Sequence, residues 1–350
     1  MKILFGVFDW GLGHATRDVP LIKELLKKNQ VHIISTGWAL KVLKGYFKGK
    51  CEYYDVPSVY PPYTRTPFFK LKFALFFPLI MKSLKYARSK SAKIIDQRFD
   101  RVISDCRYDV YDSVDNSYLI NHQLRFKAPV AVERMMEKWL ASWMKRYRYI
   151  IVPDFEQENL SGKLSHNLRY INKAKIKYIG ILSHLKKTGA KEDIEYFISL
   201  SGPEPQRTIF EKKALSQLSH LKGKIVIAGG NPDGQAGSLP GNVEYYSFLN
   251  TDQQEDIMNR AKFIIARSGY STIMELVELN KTKVLLVPTP GQPEQEYLAD
   301  YHEKKKYFHH ASQYRLKLRR DIGRSNKFKG FSSPWTTEES VQRFVEIINA

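Results

Sequence analysis

Short apolar runs alternate with amphipathic helical stretches along this chain, and that alternation limits the folds open to it. Consecutive apolar residues predict strands, and apolar residues that recur every three to four positions predict helices. Alternation of the two predicts a parallel sheet covered by helices on both faces. In the first half, strands are predicted at 3–8, 31–35, 51–56, 101–104, 117–120, 149–153 and 177–182, with clear helices at 18–28 and 132–145.

The pattern starts again after a polar, glycine-containing segment at 183–193, which we interpret as a linker. A length of 350 residues allows two domains, each with its own core. We therefore expect two doubly wound, Rossmann-like α/β domains, 1–185 and 194–335, that face each other across a cleft, with a last helix in 336–350 packing back on the first. The second set of strands is predicted at 194–200, 224–228, 243–246, 263–266 and 283–287, and helices near 206–220, 252–260, 271–279, 294–301 and 338–348.

A formal net charge of +20 indicates an acidic partner. The alternatives are a nucleic acid, an anionic membrane surface and a phosphorylated substrate. Residues 56–95 contain no acidic side chain and eight basic ones, and a second basic run lies at 304–329. No apolar run reaches the roughly 18–20 residues that a membrane span needs. The two cysteines, Cys51 and Cys106, form no disulfide framework or metal cluster, which is typical of a reducing cytoplasm.

Aromatic and aliphatic residues in the acid-free segment follow helical spacing beside lysines, with Pro78 as an expected kink. Such a pattern is typical of a helix that lies in a membrane interface. The alternative is an ordinary core helix with solvated lysines. The interface residues predicted within 64–93 are Phe69, Lys70, Lys72, Phe73, Phe76, Phe77, Lys82 and Lys85.

The string RSGYSTIME at 267–275 follows a predicted strand and opens a helix. A turn at this point makes an anion site, because unpaired N–H groups and the helix dipole point the same way. Glu275 is suitably placed to accept both hydroxyls of a ribose while phosphates lie at the helix terminus. The alternative is a capping box formed by Thr272 and Glu275. The candidate contacts are Arg267, Ser268, Gly269, Ser271, Thr272 and Glu275.

Residues 224–297 resemble the C-terminal donor-binding domain of the glycosyltransferases that include bacterial lipid II synthase and plant monogalactosyldiacylglycerol synthase. In that family Arg-x-Gly-x-x-Thr-x-x-Glu holds the α-phosphate and the ribose, and the string at 267–275 has this pattern. The family's next loop carries two glutamines that contact the donor sugar. Here that loop is PTPGQPEQEY at 288–297, and its Gln292 is a further candidate contact. Gln295 corresponds to the first of the family's glutamines, and Glu296 replaces the second. This replacement leaves the identity of the donor sugar open.

The resemblance implies the GT-B architecture and two further donor contacts. The family's base-binding turn corresponds to Phe248 and Leu249, and Leu249 would offer backbone hydrogen bonds to uracil. The family's glycine-rich diphosphate loop corresponds to 201–207, in which Gly202 and Arg207 align and prolines replace other glycines. A helix that begins near Gln206 would point its amides at phosphate, and Arg207 would add a fork of donors.

A Gly-x-Gly-His loop lies between the first strand and the first helix, within 8–17. His14 at a helix N-terminus has a lowered proton affinity, which suits a general base, and the loop is similar to one in the same family whose histidine is a proposed base. The alternative is a histidine that only caps the helix. Asp105, after a predicted strand, is the rival base or a turn residue. The predicted acceptor side comprises Gly11, Gly13, His122 and Gln123.

The leading hypothesis is an inverting, metal-independent glycosyltransferase of the hexosyltransferase type, which moves a sugar from a UDP-sugar to an acceptor hydroxyl. The resemblance implies a lipid or glycolipid acceptor and a peripheral position on the inner face of the cell membrane. No Asp-x-Asp motif is present to hold a metal, and no cofactor is expected. One alternative is a UDP-sugar hydrolase resembling the pseudaminic-acid pathway enzyme. Another is a nucleic-acid-binding protein that uses the basic, aromatic residues 56–95 and leaves 267–275 unexplained.

Overall fold

A computed structural model describes residues 1–59, 69–231, 233–234 and 237–350, without the side chains of 69–75 and 77. Within the described residues the chain divides into two compact units. The first contains 1–59, Phe69–His184 and Trp335–Ala350, and the second contains Leu185–Pro334. Each unit is built on its own sheet.

The sheet of the first unit has seven parallel strands in the order β3-β2-β1-β4-β5-β6-β7. Its central strands are apolar and buried almost without interruption, as expected of strands that are covered on both faces. The strands are β1 (Lys2–Val7), β2 (Gln30–Ser35), β3 (Glu52–Asp55), β4 (Arg101–Asp105), β5 (Ser117–Ile120), β6 (Tyr149–Val152) and β7 (Ile176–Tyr178), and the helices between them are α1 (Leu12–Leu25), α2 (Gly37–Phe47), α3 (Phe69–Ile95) and α4 (Val130–Met144).

The sheet of the second unit has six parallel strands in the order β10-β9-β8-β11-β12-β13. Phe210 is fully buried among side chains of β8, β9 and β11 in a hydrophobic core of this unit. The strands are β8 (Ile194–Ser199), β9 (Ile225–Ala228), β10 (Val243–Tyr246), β11 (Ala261–Ala266), β12 (Val284–Leu286) and β13 (His309–His310), and the helices are α5 (Gln206–Leu215), α6 (Thr251–Arg260), α7 (Tyr270–Glu278), α8 (Pro293–Lys304) and α9 (Leu318–Ser325).

The last helix, α10 (Thr337–Asn349), belongs to the first unit and packs against α1. Arg101 Nε donates to the carbonyl oxygen of Ile348 over 2.7 Å, and Trp335 Nε1 donates to that of Ile179 over 2.9 Å. Gly180 lies under the indole with a φ of 92°, where an added Cβ would be 1.9 Å from Trp335 Nε1. This left-handed turn ends β7 earlier than the predicted strand at 177–182.

The fold class predicted from the sequence, two parallel-sheet α/β domains of the Rossmann type, is confirmed. Three elements are not singled out by the sequence pattern: α2, the two-residue strand β13 and α9. α9 lies within the basic run at 304–329, whose charges hide the apolar spacing. α1 begins at Leu12, well before the predicted start at residue 18, because the glycine loop enters the helix directly.

The two sides of α3 differ in the part whose side chains are described. Ile80, Leu84 and Ala87 are buried at helical spacing, whereas Leu79 and Tyr86 are each 54% exposed. Of the predicted interface residues, Lys82 and Lys85 are exposed and Phe76 is half-buried, while the side chains of Phe69, Lys70, Lys72, Phe73 and Phe77 lie outside the description. Among the helices as described, none is long and apolar enough to cross a membrane.

Candidate functional site

The loop between β1 and α1 is held in a defined conformation by its neighbours. Gly11 precedes α1 with a φ of 86°, a value that suits glycine, and its N–H donates to the carbonyl oxygen of Asp9. Trp10 Nε1 donates to the carbonyl oxygen of Val59 over 2.9 Å, and Ser58 Oγ donates to Asp9. The loop therefore presents the first turn of α1, with its histidine, at the carboxyl edge of the sheet.

His14 and Asp105, the two candidate bases, form a hydrogen-bonded pair. His14 is the third residue of α1, and Asp105 is the last residue of β4, which pairs with β1 in the sheet. His14 Nδ1 lies 2.9 Å from Asp105 Oδ2. The His14 side chain is 16% exposed and that of Asp105 is fully buried. Part of the His14 side chain is therefore open to solvent, whereas the Asp105 side chain is not.

Arg17, one turn after His14 on α1, holds the other side of Asp105. Its Nε donates to Asp105 Oδ2 over 3.0 Å, and Nη2 donates to Oδ1. Nη1 lies 2.8 Å from Nδ1 of His122, which follows β5. The sequence did not identify Arg17, although its spacing of three residues from His14 places both on one side of a helix.

Charge in this cluster favours a neutral imidazole beside an ionised carboxylate. Burial opposes ionisation of Asp105, but Arg17 and then His14 hold its pKa well below the usual range. Burial lowers the pKa of His14, Asp105 opposes that change, and Arg17 reinforces it. A neutral imidazole whose Nδ1–H is bound by a carboxylate has its Nε2 lone pair available, which is the arrangement of a general base.

Two further residues of this cluster were not identified from the sequence. Asp18 is fully buried, and neither of its carboxylate oxygens has a hydrogen-bond partner among the described residues. Burial, together with the nearby charge of Asp105, raises its pKa well above the usual value. Cys106 places its thiol within 4.8 Å of the donor atoms of His14 and Asp105. Its fit to a metal is poor, because Arg17 already binds both carboxylate oxygens and burial raises the thiol pKa.

The predicted acceptor residues lie at the same edge with different contacts. His122 joins the cluster through Arg17. The carbonyl oxygen of Gly13 accepts a hydrogen bond from Thr16 Oγ1. The backbone N–H of the half-buried Gln123 donates to Asn121 Oδ1 over 2.7 Å, and this hydrogen bond fixes the loop after β5.

The residues predicted to bind the sugar donor lie in the second unit, in the loops that follow β8, β11 and β12. These strands are parallel, so the loops lie at one edge of the sheet. α7 begins at Tyr270 with Gly269 as N-cap, and no side chain caps it. The alternative capping box of Thr272 and Glu275 is therefore not formed. No acidic residue occupies the first turn, where Ser271 and Thr272 are half-buried, so the helix N-terminus suits an anion.

Glu275, in the second turn of α7, is a buried carboxyl group with a small exposed area of 7%. Burial raises its pKa to about 8. Gln254 Nε2 on α6 lies 3.5 Å from its Oε2. A carboxyl group of this kind gains hydrogen bonds when a ligand brings hydroxyl donors to it, and ionisation then becomes easier.

Arg267 differs from its predicted role as a direct phosphate ligand. Its guanidinium is buried, and its Nε, Nη1 and Nη2 donate over 2.6–3.3 Å to protein oxygens only. Among the described residues no acidic side chain forms an ion pair with it, and burial lowers its pKa to about 9. Arg267 therefore fixes the loops that surround the α7 N-terminus. The acceptors are the carbonyl oxygens of Ser201, Gln206, Val287 and Pro288 and the side-chain oxygen of Gln313.

The predicted diphosphate loop at 201–207 is also occupied by protein contacts. Arg207 Nε donates to Glu204 over 2.5 Å, and Nη1 donates to Glu211 over 3.0 Å and to the carbonyl oxygen of Gly229. Glu204 also accepts from the N–H and hydroxyl of Thr208 in the first turn of α5. A carboxylate of the protein thus occupies the place predicted for phosphate. The sequence did not identify Glu204, although it stands three residues before Arg207.

The loop after β12 is organised around Gln295. Its Oε1 accepts from the N–H of Thr289 over 2.9 Å, its Nε2 donates to Gln292 Oε1 over 2.6 Å, and its carbonyl oxygen accepts from Ser268 Oγ over 2.8 Å. The N–H of Gly291 donates to Glu296 Oε1 over 2.9 Å. These bonds join the starts of α7 and α8 and bring Gln292, Gln295 and Ser268 together.

Other predicted donor residues lie at the same edge. Phe248, after β10, is 48% exposed, and its neighbour Leu249 is buried before α6. α6 itself is capped by a box formed by Asn250 and Gln253. Gly202 has a φ of 108°, and an added Cβ would lie 3.2 Å from Thr289 Oγ1. The exposed ring of Phe248 offers a surface on which a nucleobase can stack.

Comparison with known proteins identifies a related domain family and related folds. Residues 203–348 match the model of the glycosyltransferase family 28 C-terminal domain. No curated protein matches the sequence significantly. Among solved structures, the chain is similar to the glycotransferase of kitacinnamycin, with a TM-score of 0.66 and 14% identity over 99% of this chain and 95% of that chain.

Two further solved structures are similar at lower TM-scores. One is MurG from Acinetobacter baumannii (TM-score 0.57, 11% identity, 100% of this chain and 99% of that chain). The other is the spinosyn rhamnosyltransferase SpnG complexed with thymidine diphosphate (TM-score 0.59, 11% identity, 100% and 92%). Identities this low establish the fold alone, which is GT-B. The family match and the fold together support a glycosyltransferase.

Proposed function

We propose that this protein is an inverting glycosyltransferase that moves a sugar from a UDP-sugar to an acceptor hydroxyl, with His14 as the base. The observation that carries the proposal is the 2.9 Å hydrogen bond between His14 Nδ1 and the buried Asp105. That bond leaves Nε2 as the nitrogen that can receive a proton. The uncapped start of α7 supports the other half of the reaction, because it offers N–H groups to the leaving diphosphate.

The transfer is a single displacement. The acceptor O–H gives its proton to His14 Nε2 while its oxygen forms a bond to the anomeric carbon of the donor. The bond from that carbon to the diphosphate oxygen breaks, and its electron pair leaves with UDP. Attack from the side opposite to the leaving group inverts the anomeric configuration. Asp105 stabilises the imidazolium that forms, and Arg17 keeps Asp105 ionised and in place.

Negative charge develops on the diphosphate as it leaves, and the first turn of α7 is the proposed place to stabilise it. Arg267 acts through this turn, since its own N–H groups are bound to protein oxygens. It holds the loops rigid, so the amides do not have to reorganise during the reaction. Arg207 acts similarly through Glu204 and Glu211.

A ribonucleoside diphosphate is proposed because the buried carboxyl of Glu275, in the second turn of α7, would accept from ribose hydroxyls and Phe248 offers a stacking surface for a nucleobase. Among ribonucleotides, UDP is the one that the resemblance of residues 224–297 implies. The spinosyn rhamnosyltransferase binds thymidine diphosphate, whose deoxyribose lacks the 2′-hydroxyl. A carboxylate that accepts from two ribose hydroxyls favours UDP over thymidine diphosphate by roughly tenfold or more, because one charge-assisted hydrogen bond is lost with the deoxy sugar.

A lipid or glycolipid acceptor is proposed, with the protein peripheral on an anionic membrane surface. The exposed side of α3 supports it, since Leu79 and Tyr86 are accompanied there by Lys82 and Lys85. Apolar side chains beside lysines suit the interface of an anionic bilayer. Charge reversal at Lys82 and Lys85 should abolish sedimentation with phosphatidylglycerol vesicles, while the same change at Lys41 and Lys44 on α2 serves as a control. Equal sedimentation of all three proteins would contradict a membrane role for α3.

The proposed reaction is tested by incubating the protein with a panel of UDP-sugars, with and without a membrane lipid extract. UDP release that depends on the extract, together with an extracted lipid that gains the mass of the sugar, is expected. His14→Ala should abolish transfer while UDP binding is retained, and NMR of the product should show the inverted anomeric configuration. Free sugar released at the same rate without the extract would identify a hydrolase instead, and no consumption of any UDP-sugar would refute both.

A further inference from the structure

A cationic cavity lies in the second unit, apart from the donor loops. It has a volume of about 550 Å³ and is lined by Gln217, His220, Lys317, Arg319 and Arg320. Four of these five residues are basic. The surrounding run from Lys304 to Lys329 contains ten lysines and arginines and a single acidic residue, Asp321.

The floor of this cavity is fixed by hydrogen bonds. Gln217 follows α5, and its Nε2 donates to the carbonyl oxygens of Lys213 over 2.8 Å and of Leu316 over 3.3 Å. Its Oε1 accepts from the N–H of Leu318 at the start of α9, over 2.9 Å. One amide side chain thus joins the end of α5 to the start of α9, which holds the cationic residues in a fixed frame.

The positive charge of the cavity is only partly neutralised. Arg320 donates to both oxygens of the buried Asp321 over 2.7 and 3.0 Å. The side chains of His220, Lys317 and Arg319 are exposed and form no hydrogen bond or ion pair with any residue that the structure describes. Three donor groups without an acceptor among the described residues therefore line a cavity that is open to solvent.

The cavity is remote from the proposed donor site. α5 starts at the loop after β8, at the carboxyl edge of the sheet, and the cavity lies beyond its other end. Ten helical residues span about 15 Å, so the two places lie at opposite ends of this helix. The cavity has no part in the transfer reaction as proposed.

We propose that this cavity is a second anion site, which binds a phosphate group through Lys317, Arg319 and His220. Phosphate suits the site because guanidinium and ammonium groups donate charge-assisted hydrogen bonds to its several oxygens. The phosphate belongs either to a soluble phosphorylated molecule or to a phospholipid headgroup, which share this chemistry.

The test compares two double variants that remove the same charge. Lys317→Gln/Arg319→Gln alters the cavity, and Arg324→Gln/Lys327→Gln alters exposed basic residues outside it. Binding of inorganic pyrophosphate to the full-length protein is measured by calorimetry, with and without excess UDP to occupy the donor loops. The cavity variant should raise the Kd about tenfold, and the control variant less than about twofold, when excess UDP occupies the donor loops.

Vesicles of phosphatidylglycerol, with phosphatidylcholine as control, separate the two sources of phosphate. Loss of sedimentation in the cavity variant alone assigns a lipid headgroup, and unchanged sedimentation with weakened pyrophosphate binding assigns a soluble phosphate. Equal losses in both variants, or no pyrophosphate binding by the wild type, would overturn the proposal. UDP binding by the cavity variant is expected to be unchanged, so failure here does not depend on the donor-site assignment.

Discussion

Replacement of Glu275 by glutamine should make the protein more stable near neutral pH and less able to bind UDP. Burial raises the pKa of Glu275 from 4.5 to about 8, so the folded protein keeps this proton at pH 7 while the unfolded chain releases it. The unfolded state therefore binds fewer protons between these two pH values, and stability falls as pH rises through that window.

The magnitude follows from the size of that window. Each pH unit above the ordinary value of 4.5 costs about 1.4 kcal/mol, so the loss reaches roughly 3 kcal/mol at pH 7 as an upper limit. Glutamine has a similar shape and no titration, so the loss disappears in Glu275→Gln. The variant should match the wild type near pH 4.5 and exceed it increasingly towards pH 8.

Urea unfolding of both proteins at pH 5 and pH 7.5 measures this difference. Glu278→Gln, three residues further on α7 and half-buried, makes the same chemical change on the same helix and is the matched control. If Glu275→Gln is less stable than the wild type at pH 7.5, or if its advantage is the same at both pH values, the reasoning from burial is wrong.

Three further predictions concern the remaining charged groups. Because burial lowers the pKa of His14 below its ordinary 6.5, kcat/KM should fall on the acid side only below that pH, and a fall centred above 7 would contradict a neutral base. Asp105→Asn should lower kcat by about 10³-fold and destabilise the fold by about 3 kcal/mol, since it leaves Arg17 buried beside an uncharged group. Steady-state kinetics and thermal unfolding measure the two effects, and a wild-type kcat would contradict the role of the His14–Asp105 pair. Arg267→Lys should lower the free energy of unfolding by about 2–4 kcal/mol, because a lysine cannot reach all the oxygens that the guanidinium binds. An unchanged melting temperature would contradict the role of Arg267 in fixing the loops around the start of α7.

The sequence predicts the sheets well because parallel buried strands have a strong local signal. It also places His14 and Asp105 at carboxyl ends of strands. Their contact depends on β1 lying next to β4, and strand order is set by tertiary packing. Two candidate bases in the sequence therefore become one hydrogen-bonded pair in the structure.

The orientation of Arg267 is harder to predict. Its motif indicates a phosphate site, but its guanidinium turns inward, since five oxygens from distant parts of the chain surround it. Glu204 similarly fills the start of α5, and no local pattern distinguishes this carboxylate from an ordinary turn residue. For Arg267, contacts between residues far apart in the sequence decide the outcome, whereas Glu204 binds Arg207 and Thr208, which lie three and four residues further along the chain.

The helix α3 illustrates a mixed outcome. Its aromatic and basic pattern predicts one lipophilic segment, yet Ile80, Leu84 and Ala87 are buried in the first unit, as the ordinary core-helix alternative requires. A single helix has room for a buried side and an exposed side, and hydropathy alone cannot separate them.

A calorimetric titration with UDP and with thymidine diphosphate tests the central claim, that the start of α7 and Glu275 form a UDP-sugar site. The wild type should bind UDP more tightly than thymidine diphosphate, and Glu275→Ala should weaken UDP by about tenfold or more while the two nucleotides become equal. Failure of the wild type to bind UDP, or equal UDP affinity in Glu275→Ala, would contradict the account.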